Sequence, residues 1–201
     1  MSRLLIVDDD ESILKALRRV LSITPCTTGE TSFTLEIDLF CTPLEALQKA
    51  RHTAYDLVLS DYRMPFMNGV QFLKAFREIQ PDTARLILSG YSDLNGLIDA
   101  INEAGISRFI SKPWNDYELV SAIAQALALH ELTMENRRLA DQARLAMGTI
   151  SAEEIERKRL EAADPGITRV NWGPDGSVML DESLLDDSPL DPEWIGDNRI
   201  R

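Results

Sequence analysis

Five short apolar runs recur along the first 112 residues, with helical spacing between and after them. They are 3–7, "RLLIV"; 35–41, "LEIDLFC"; 56–60, "DLVLS"; 84–89, "ARLILS"; and 107–111, "SRFIS". After the first run, Ile13, Leu14, Leu17, Val20 and Leu21 repeat at spacings of three and four, as one face of a helix does. Thr42-Pro43 supplies an N-cap and a first-turn proline for the next helix. Further helices are expected over 69–79, over 93–104 and from Asn115 onward. Strands alternating with helices in this way imply a doubly wound α/β fold, a five-stranded parallel sheet covered on both faces. Right-handed crossovers then point all the strands the same way. Residues 24–34, rich in Thr, Ser and Gly, read as a loop.

Ligands of open parallel sheets sit beyond the carboxyl ends of the strands. Those ends carry Asp8 and Asp9, Asp61, Ser89 and, just past the fifth strand, Lys112. Two carboxylates about 4 Å apart repel by about 4 kcal/mol at an effective dielectric of about 20. A hard divalent cation relieves that repulsion, and oxygen ligands without His or Cys suit Mg²⁺, with Mn²⁺ as the second choice. A carboxylate in such a setting can attack phosphorus to give an aspartyl phosphate. That transfer needs mostly positioning and charge neutralisation, which Mg²⁺, Lys112 and the Ser89 hydroxyl would supply. A polar residue at one strand end needs no special reason; five such residues at the matching ends do.

The segments "LLIVDDDESI", "LVLSDYRMPFMNG", "LILSGY" and "FISKPW" resemble the four signature segments of two-component response-regulator receiver domains. The resemblance runs from residue 3 to about 129 and implies a CheY-like, flavodoxin-like architecture. It implies that Asp61 is the phosphoacceptor and that a histidine kinase is the donor. Asp8 and Asp9 would be the acidic pair that holds Mg²⁺, Asp9 more directly, with Asp61 and the backbone carbonyl of Arg63 completing the protein ligands. Ser89 and Lys112 would assist catalysis, and Ser89 with Phe109 would form the switch. Phe109 has no hydroxyl, so burial of its ring, not a hydrogen bond, would register the change. The Lys112–Pro113 bond is expected to be cis. Arg63 and Tyr91 are large enough to hinder an attacking water, which implies slow self-hydrolysis, while Gly90 leaves the phosphoryl approach open. The receiver is most similar to those attached to cyclic-di-GMP phosphodiesterases and to hydrogenase-type transcription regulators.

A net charge of −12 argues against a nucleic-acid surface. Residues 130–163 carry seven acids and six bases, and residues 164–201 nine acids and three bases, so no basic subdomain hides there. No apolar run is long enough to span a membrane, and the acidic "DDDES" after the first apolar positions is unlike a leader. Cys26 and Cys41 form no disulfide framework or metal spacing, which suits the cytoplasm. His52 and His130 sit on helical stretches beside polar neighbours, have no partner at ligand spacing, and read as surface residues.

Past the receiver, assigned to 1–129, residues 130–163 read as a helical extension. A heptad frame places Leu129, Asn136, Ala143 and Ile150 at one core position and Leu132, Leu139 and Ala146 at the other. This pattern predicts a parallel homodimeric coiled coil through 129–150. Ser151 and Glu154 resemble a capping box, so a break is expected near 148–151. Residues 164–201 form an acidic tail with a hairpin signal around Gly173-Pro174-Asp175-Gly176 and apolar Leu184, Leu185, Leu190, Trp194 and Ile195. No output enzyme motif follows the receiver, so catalysis beyond self-phosphorylation and its reversal is left open. The leading expectation is phosphorylation-controlled binding of an unknown downstream protein, or a change of dimer geometry. A transcriptional or cyclic-dinucleotide effector and a phosphate sink are the alternatives.

Overall fold

The computed structural model describes residues 1–90, 104–148 and 151–165. All of them lie in the first of the chain's two units, Met1–Thr168 and Arg169–Arg201. Tyr91, Ile150, the hairpin signal at 173–176, the apolar tail residues and all but the end of the helix expected over 93–104 lie outside the described residues.

In chain order the elements are β1 (Ser2–Val7), α1 (Glu11–Ile23), β2 (Cys26–Thr28), β3 (Thr31–Phe33), β4 (Leu35–Phe40), α2 (Pro43–Ala50) and β5 (Leu57–Asp61). There follow α3 (Gly69–Ile79), β6 (Ala84–Gly90), β7 (Arg108–Lys112), α4 (Asp116–Ala146) and α5 (Ala152–Ala163). The main sheet has five parallel strands in the order β4-β1-β5-β6-β7. Alternate residues of each strand feed opposite faces. Leu4 and Ile6 of β1 join Leu14 and Leu17 of α1 and Leu119, Ile123 and Leu127 of α4 in one core. Leu5 and Val7 join Ala46 of α2 and Leu73 and Phe76 of α3 in the other. Burying each such leucine or phenylalanine side chain contributes about 1.5–3 kcal/mol, and the two cores together hold the strand ends in register.

The helix starts follow from short polar side chains. Asp10 accepts from Ser12 N at the start of α1, and Thr42 accepts from Glu45 N ahead of Pro43 in α2. Asn68 and Gln71 form a reciprocal capping box on α3, and Asn115 accepts from Tyr117 N and Glu118 N on α4. The expected break is present. Helix α4 ends at Ala146, Gly148 takes φ +69°, and Ser151 accepts from Glu154 N to start α5. Helix α5 turns back far enough for Lys158 Nζ to lie 3.6 Å from Asp141 Oδ1.

Two expectations need correction. Residues 24–34 are not a plain loop: β2 and β3 pair antiparallel, with Cys26 opposite Phe33 and Thr28 opposite Thr31. Gly29, at φ +57°, allows the two-residue connection, and burial of Cys26 with packing of β2 against α4 gives the hairpin its support. His130 is not an open surface residue either. Its side chain is only 11% exposed, with Nε2 3.5 Å from Asp56 Oδ1 and Nδ1 3.0 Å from the Asp82 carbonyl oxygen. Arg137 also pairs with the Asp82 carboxylate. These contacts brace α4 against the loops that lead into β5 and β6.

Candidate functional site

The chain runs from β1 to β4 on one side and then returns to β5 on the other, so strand order reverses between β1 and β5. Such a reversal leaves a crevice at the carboxyl ends of the strands. Asp8 directly follows β1 and Asp61 closes β5. Lys112 closes β7, where Gly90 pairs with it and Ser89 with Ser111 in the ladder.

Lys112 brings the two carboxylates together. Its Nζ lies 2.7 Å from Asp8 Oδ2 and also pairs with Asp61 Oδ1. Asp8 Oδ1 accepts from Asp10 N at 2.9 Å, and Asp61 Oδ2 accepts from Arg63 N at 2.6 Å. The Ser60 hydroxyl donates to the Asp61 carbonyl oxygen at 2.8 Å. Asp8 is 1% exposed and Asp61 5%. Burial pushes the Asp8 carboxyl above its ordinary range, against the hydrogen bonds from Lys112 and Asp10 N. Burial of Lys112 acts to lower its ammonium, yet hydrogen bonds to Asp61 and Asp8 outweigh that and raise it.

The three consecutive aspartates do three different jobs. Asp8 is buried in the crevice, Asp9 is exposed at its mouth, and Asp10 caps α1. Ser89 is 1% exposed, with its hydroxyl 3.4 Å from the Gly90 carbonyl. Phe109 is half-buried against the core that also holds Ile87, its partner in the ladder. The Lys112–Pro113 peptide is cis, as expected. Gly69 closes the site from beneath: its N–H donates to the Tyr62 carbonyl at 2.9 Å, and a Cβ there would overlap the Asp61 carbonyl oxygen.

One ammonium faces two buried carboxylates, with a third carboxylate at the mouth, so the local balance is negative. An all-oxygen donor set of that charge has the chemistry a hard divalent cation prefers. Among the described residues, no three carboxylate, imidazole or thiol groups are gathered closely enough to form a ready cage; Lys112 stands between Asp8 and Asp61. No described helix is long and apolar enough to cross a membrane.

This strand order, with an acidic crevice at its switch point, defines a CheY-like α/β domain. The response regulator receiver domain family matches residues 4–124, and the chain belongs to that family. It is similar to the hydrogenase transcriptional regulatory protein HoxA of Bradyrhizobium diazoefficiens, at 34% identity over 90% of this chain, and spans 34% of that protein's length. Among solved structures, it resembles the signal receiver domain of an HD domain-containing protein from Pseudomonas fluorescens Pf-5. That match has 35% identity and a TM-score of 0.55, covering 65% of this chain and 97% of that one. A CheY-like receiver domain protein from Methanospirillum hungatei matches at 27% identity and a TM-score of 0.58, covering 66% and 98% of the two chains.

Of the five residues expected at the strand ends, Asp8, Asp61, Ser89 and Lys112 lie at or just past the carboxyl ends of β1, β5, β6 and β7, with Asp9 exposed beside Asp8. Sequence reasoning missed Asp10 as a cap, although Asp followed two residues later by Ser ahead of an apolar periodic stretch is a readable N-cap signal. It also passed over Gly69, whose need follows only from the approach of Asp61.

Proposed function

We propose that Asp61 is the phosphoacceptor of this receiver and that a histidine kinase donates the phosphoryl group. The observation that carries this reading is Lys112 Nζ bridging the buried carboxylates of Asp8 and Asp61. An Asp61 oxygen attacks phosphorus, the P–N bond of the donor phosphohistidine breaks, and its electron pair stays on the imidazole, which takes up a proton. Lys112 holds Asp61 in place and balances charge gathering on the phosphoryl oxygens. Asp8, Asp9, Asp61 and the carbonyl of Arg63 are the groups proposed to hold Mg²⁺, which supplies further neutralisation of those oxygens when bound. The Ser89 hydroxyl, one strand away, then hydrogen-bonds the phosphoryl group, and Phe109 responds through its packing. Intact-mass analysis after treatment with acetyl phosphate and Mg²⁺ tests the assignment. Wild type gains one phosphoryl group and Asp61→Asn gains none; equal labelling of both removes Asp61 from the role.

The output is proposed to act through α4, in a homodimer that changes geometry or partner affinity. Residues 130, 134, 137 and 141, at spacings of four, three and four, lie on one face, which carries the contacts of His130, Arg137 and Asp141. Leu129, Leu132, Asn136, Leu139, Ala143 and Ala146 lie on the opposite face, and all are exposed. The intramolecular contacts therefore leave the heptad face open to a second copy. The cytoplasm is the proposed location, in keeping with two free cysteines.

A second reading, a role in transcription, is favoured by the name of the HoxA relative and by the extent of that match. Similarity over 90% of a 201-residue chain must continue past residue 163. A gel-shift titration of the phosphorylated protein separates the readings: retained DNA at physiological salt favours transcription, and its absence favours protein partners.

A further inference from the structure

The loop between Asp61 and α3 carries one residue that the site above does not use. Phe66 has φ +67° and is fully exposed, at 109% of the reference area for its type. Met67 N donates to the Pro65 carbonyl at 2.8 Å across it, so Phe66 is the middle of a γ-turn of the rare positive-φ form. Non-glycine side chains disfavour this region, and a bulky ring does so most of all. Glycine would relieve the strain, and asparagine is found at positive φ more often than a bulky ring is. The neighbours show that the loop is otherwise well anchored. Met64 is buried, Met67 is packed against the second core, and Gly69 N closes the loop base onto the Tyr62 carbonyl. The loop therefore draws two methionines inward and displays the phenyl ring on a strained tip, rooted at the residue after Asp61.

We infer that Phe66 is an anchor for the phosphodonor protein, seated in an apolar recess on that partner beside its phosphohistidine. The inference rests on Asp61 being the phosphoacceptor. A donor histidine must bring phosphorus within bonding distance of Asp61, so its surface has to cover the rim from which Phe66 projects. A large exposed aromatic at such a rim has the character of a binding hot spot. Asp9 and Asp10 are exposed at the crevice mouth, so the recess that suits this rim is apolar and bordered by basic side chains. A small phosphodonor needs no such surface, and this separates docking from chemistry.

The test compares wild type with Phe66→Asn and Phe66→Leu, using two donors. One is acetyl phosphate. The other is the set of purified histidine kinase transmitter domains from the same genome, each autophosphorylated with ATP, with the fastest used for rates. Phe66→Asn is expected to fold with an unchanged or raised unfolding midpoint and to take phosphate from acetyl phosphate at the wild-type rate. Its kcat/KM for transfer from the transmitter is expected to fall about thirtyfold, the loss at which a truncation begins to mark a hot spot, and Phe66→Leu to recover part of it. Equal transmitter rates for wild type and Phe66→Asn overturn the inference. So does a parallel loss with both donors, which would make the residue part of the chemistry, and so does a wild-type protein that acetyl phosphate labels but no transmitter does. Labelling that persists in Asp61→Asn overturns the phosphoacceptor assignment instead.

Discussion

Lys112 Nζ sits 2.7 Å from Asp8 Oδ2 although 104 residues separate them in the chain. The sheet order places the ends of β1, β5 and β7 on one edge, and the long lysine side chain reaches across from β7. Its ammonium is the cation that this contact sets against two buried carboxylates, so its loss leaves them facing each other. Replacing Lys112 with Met is expected to lower unfolding stability by about 2 kcal/mol, below the full value for breaking a buried pair because Lys112 is 21% exposed. Urea unfolding at neutral pH measures it, and added Mg²⁺ should recover part of the loss. A change under about 0.5 kcal/mol would show that the pair is not mutually dependent.

Gly69 makes a second, sharper prediction. A methyl group there meets backbone, the Asp61 carbonyl, and backbone cannot step aside as a side chain end can. Gly69→Ala should cost about 3 kcal/mol by overpacking and slow labelling by acetyl phosphate. Gly29→Ala has open space around it and only a positive φ to oppose it, so it should cost about 1 kcal/mol. Thermal unfolding of both variants ranks them, and the reverse order would refute the close approach.

Asp56 predicts a pH dependence. Partial burial acts to raise its carboxyl, but the hydrogen bonds from His130 and from Arg3 N outweigh it and hold it below the ordinary range. A carboxyl lowered by folding contributes stability that is present above its unfolded value and lost as pH falls through the folded one. Asp56→Asn should therefore destabilise by about 0.5 kcal/mol at neutral pH, a small figure because solvent screens this half-exposed group. The difference should begin to shrink as pH falls below about 4, the ordinary carboxyl value, and vanish only once the lower folded value is passed. Denaturant titrations at several pH values check it; a difference that grows in acid contradicts the assignment.

The two cysteines should separate by reactivity. Cys26 is buried and its thiol is pushed up to about 11 by burial, whereas Cys41 is exposed. Iodoacetamide at pH 8 should add one group, at Cys41, and a second only after unfolding. Peptide mapping that finds early label on Cys26 would mean the β2–β3 hairpin opens readily.

Dimerisation has its own check. Leu132→Asp with Leu139→Asp puts charge on the open face of α4 and leaves the His130 and Arg137 contacts in place. Sedimentation velocity should show a dimer for wild type and a monomer for the double variant. A monomeric wild type at micromolar concentration, phosphorylated or not, would remove the coiled coil.

The strand–helix alternation, the carboxyl-end aspartates, the Thr42-Pro43 start and the break near 148–151 were all legible because each is local. Side-chain period, capping chemistry and glycine's backbone freedom act within a few residues of one another. The division of labour among Asp8, Asp9 and Asp10 was not legible, since it depends on which of them the crevice buries. Nor were the partners of His130, the hairpin at 26–33, or the open face of α4. Those depend on groups brought near only when the sheet forms and α4 crosses its base: Asp56 and Asp82 are distant from His130 in the chain and adjacent to it in space. Periodicity tells a segment what shape to take and which side to bury. It carries no record of what will stand opposite, and there burial, charge pairing and close approach are set.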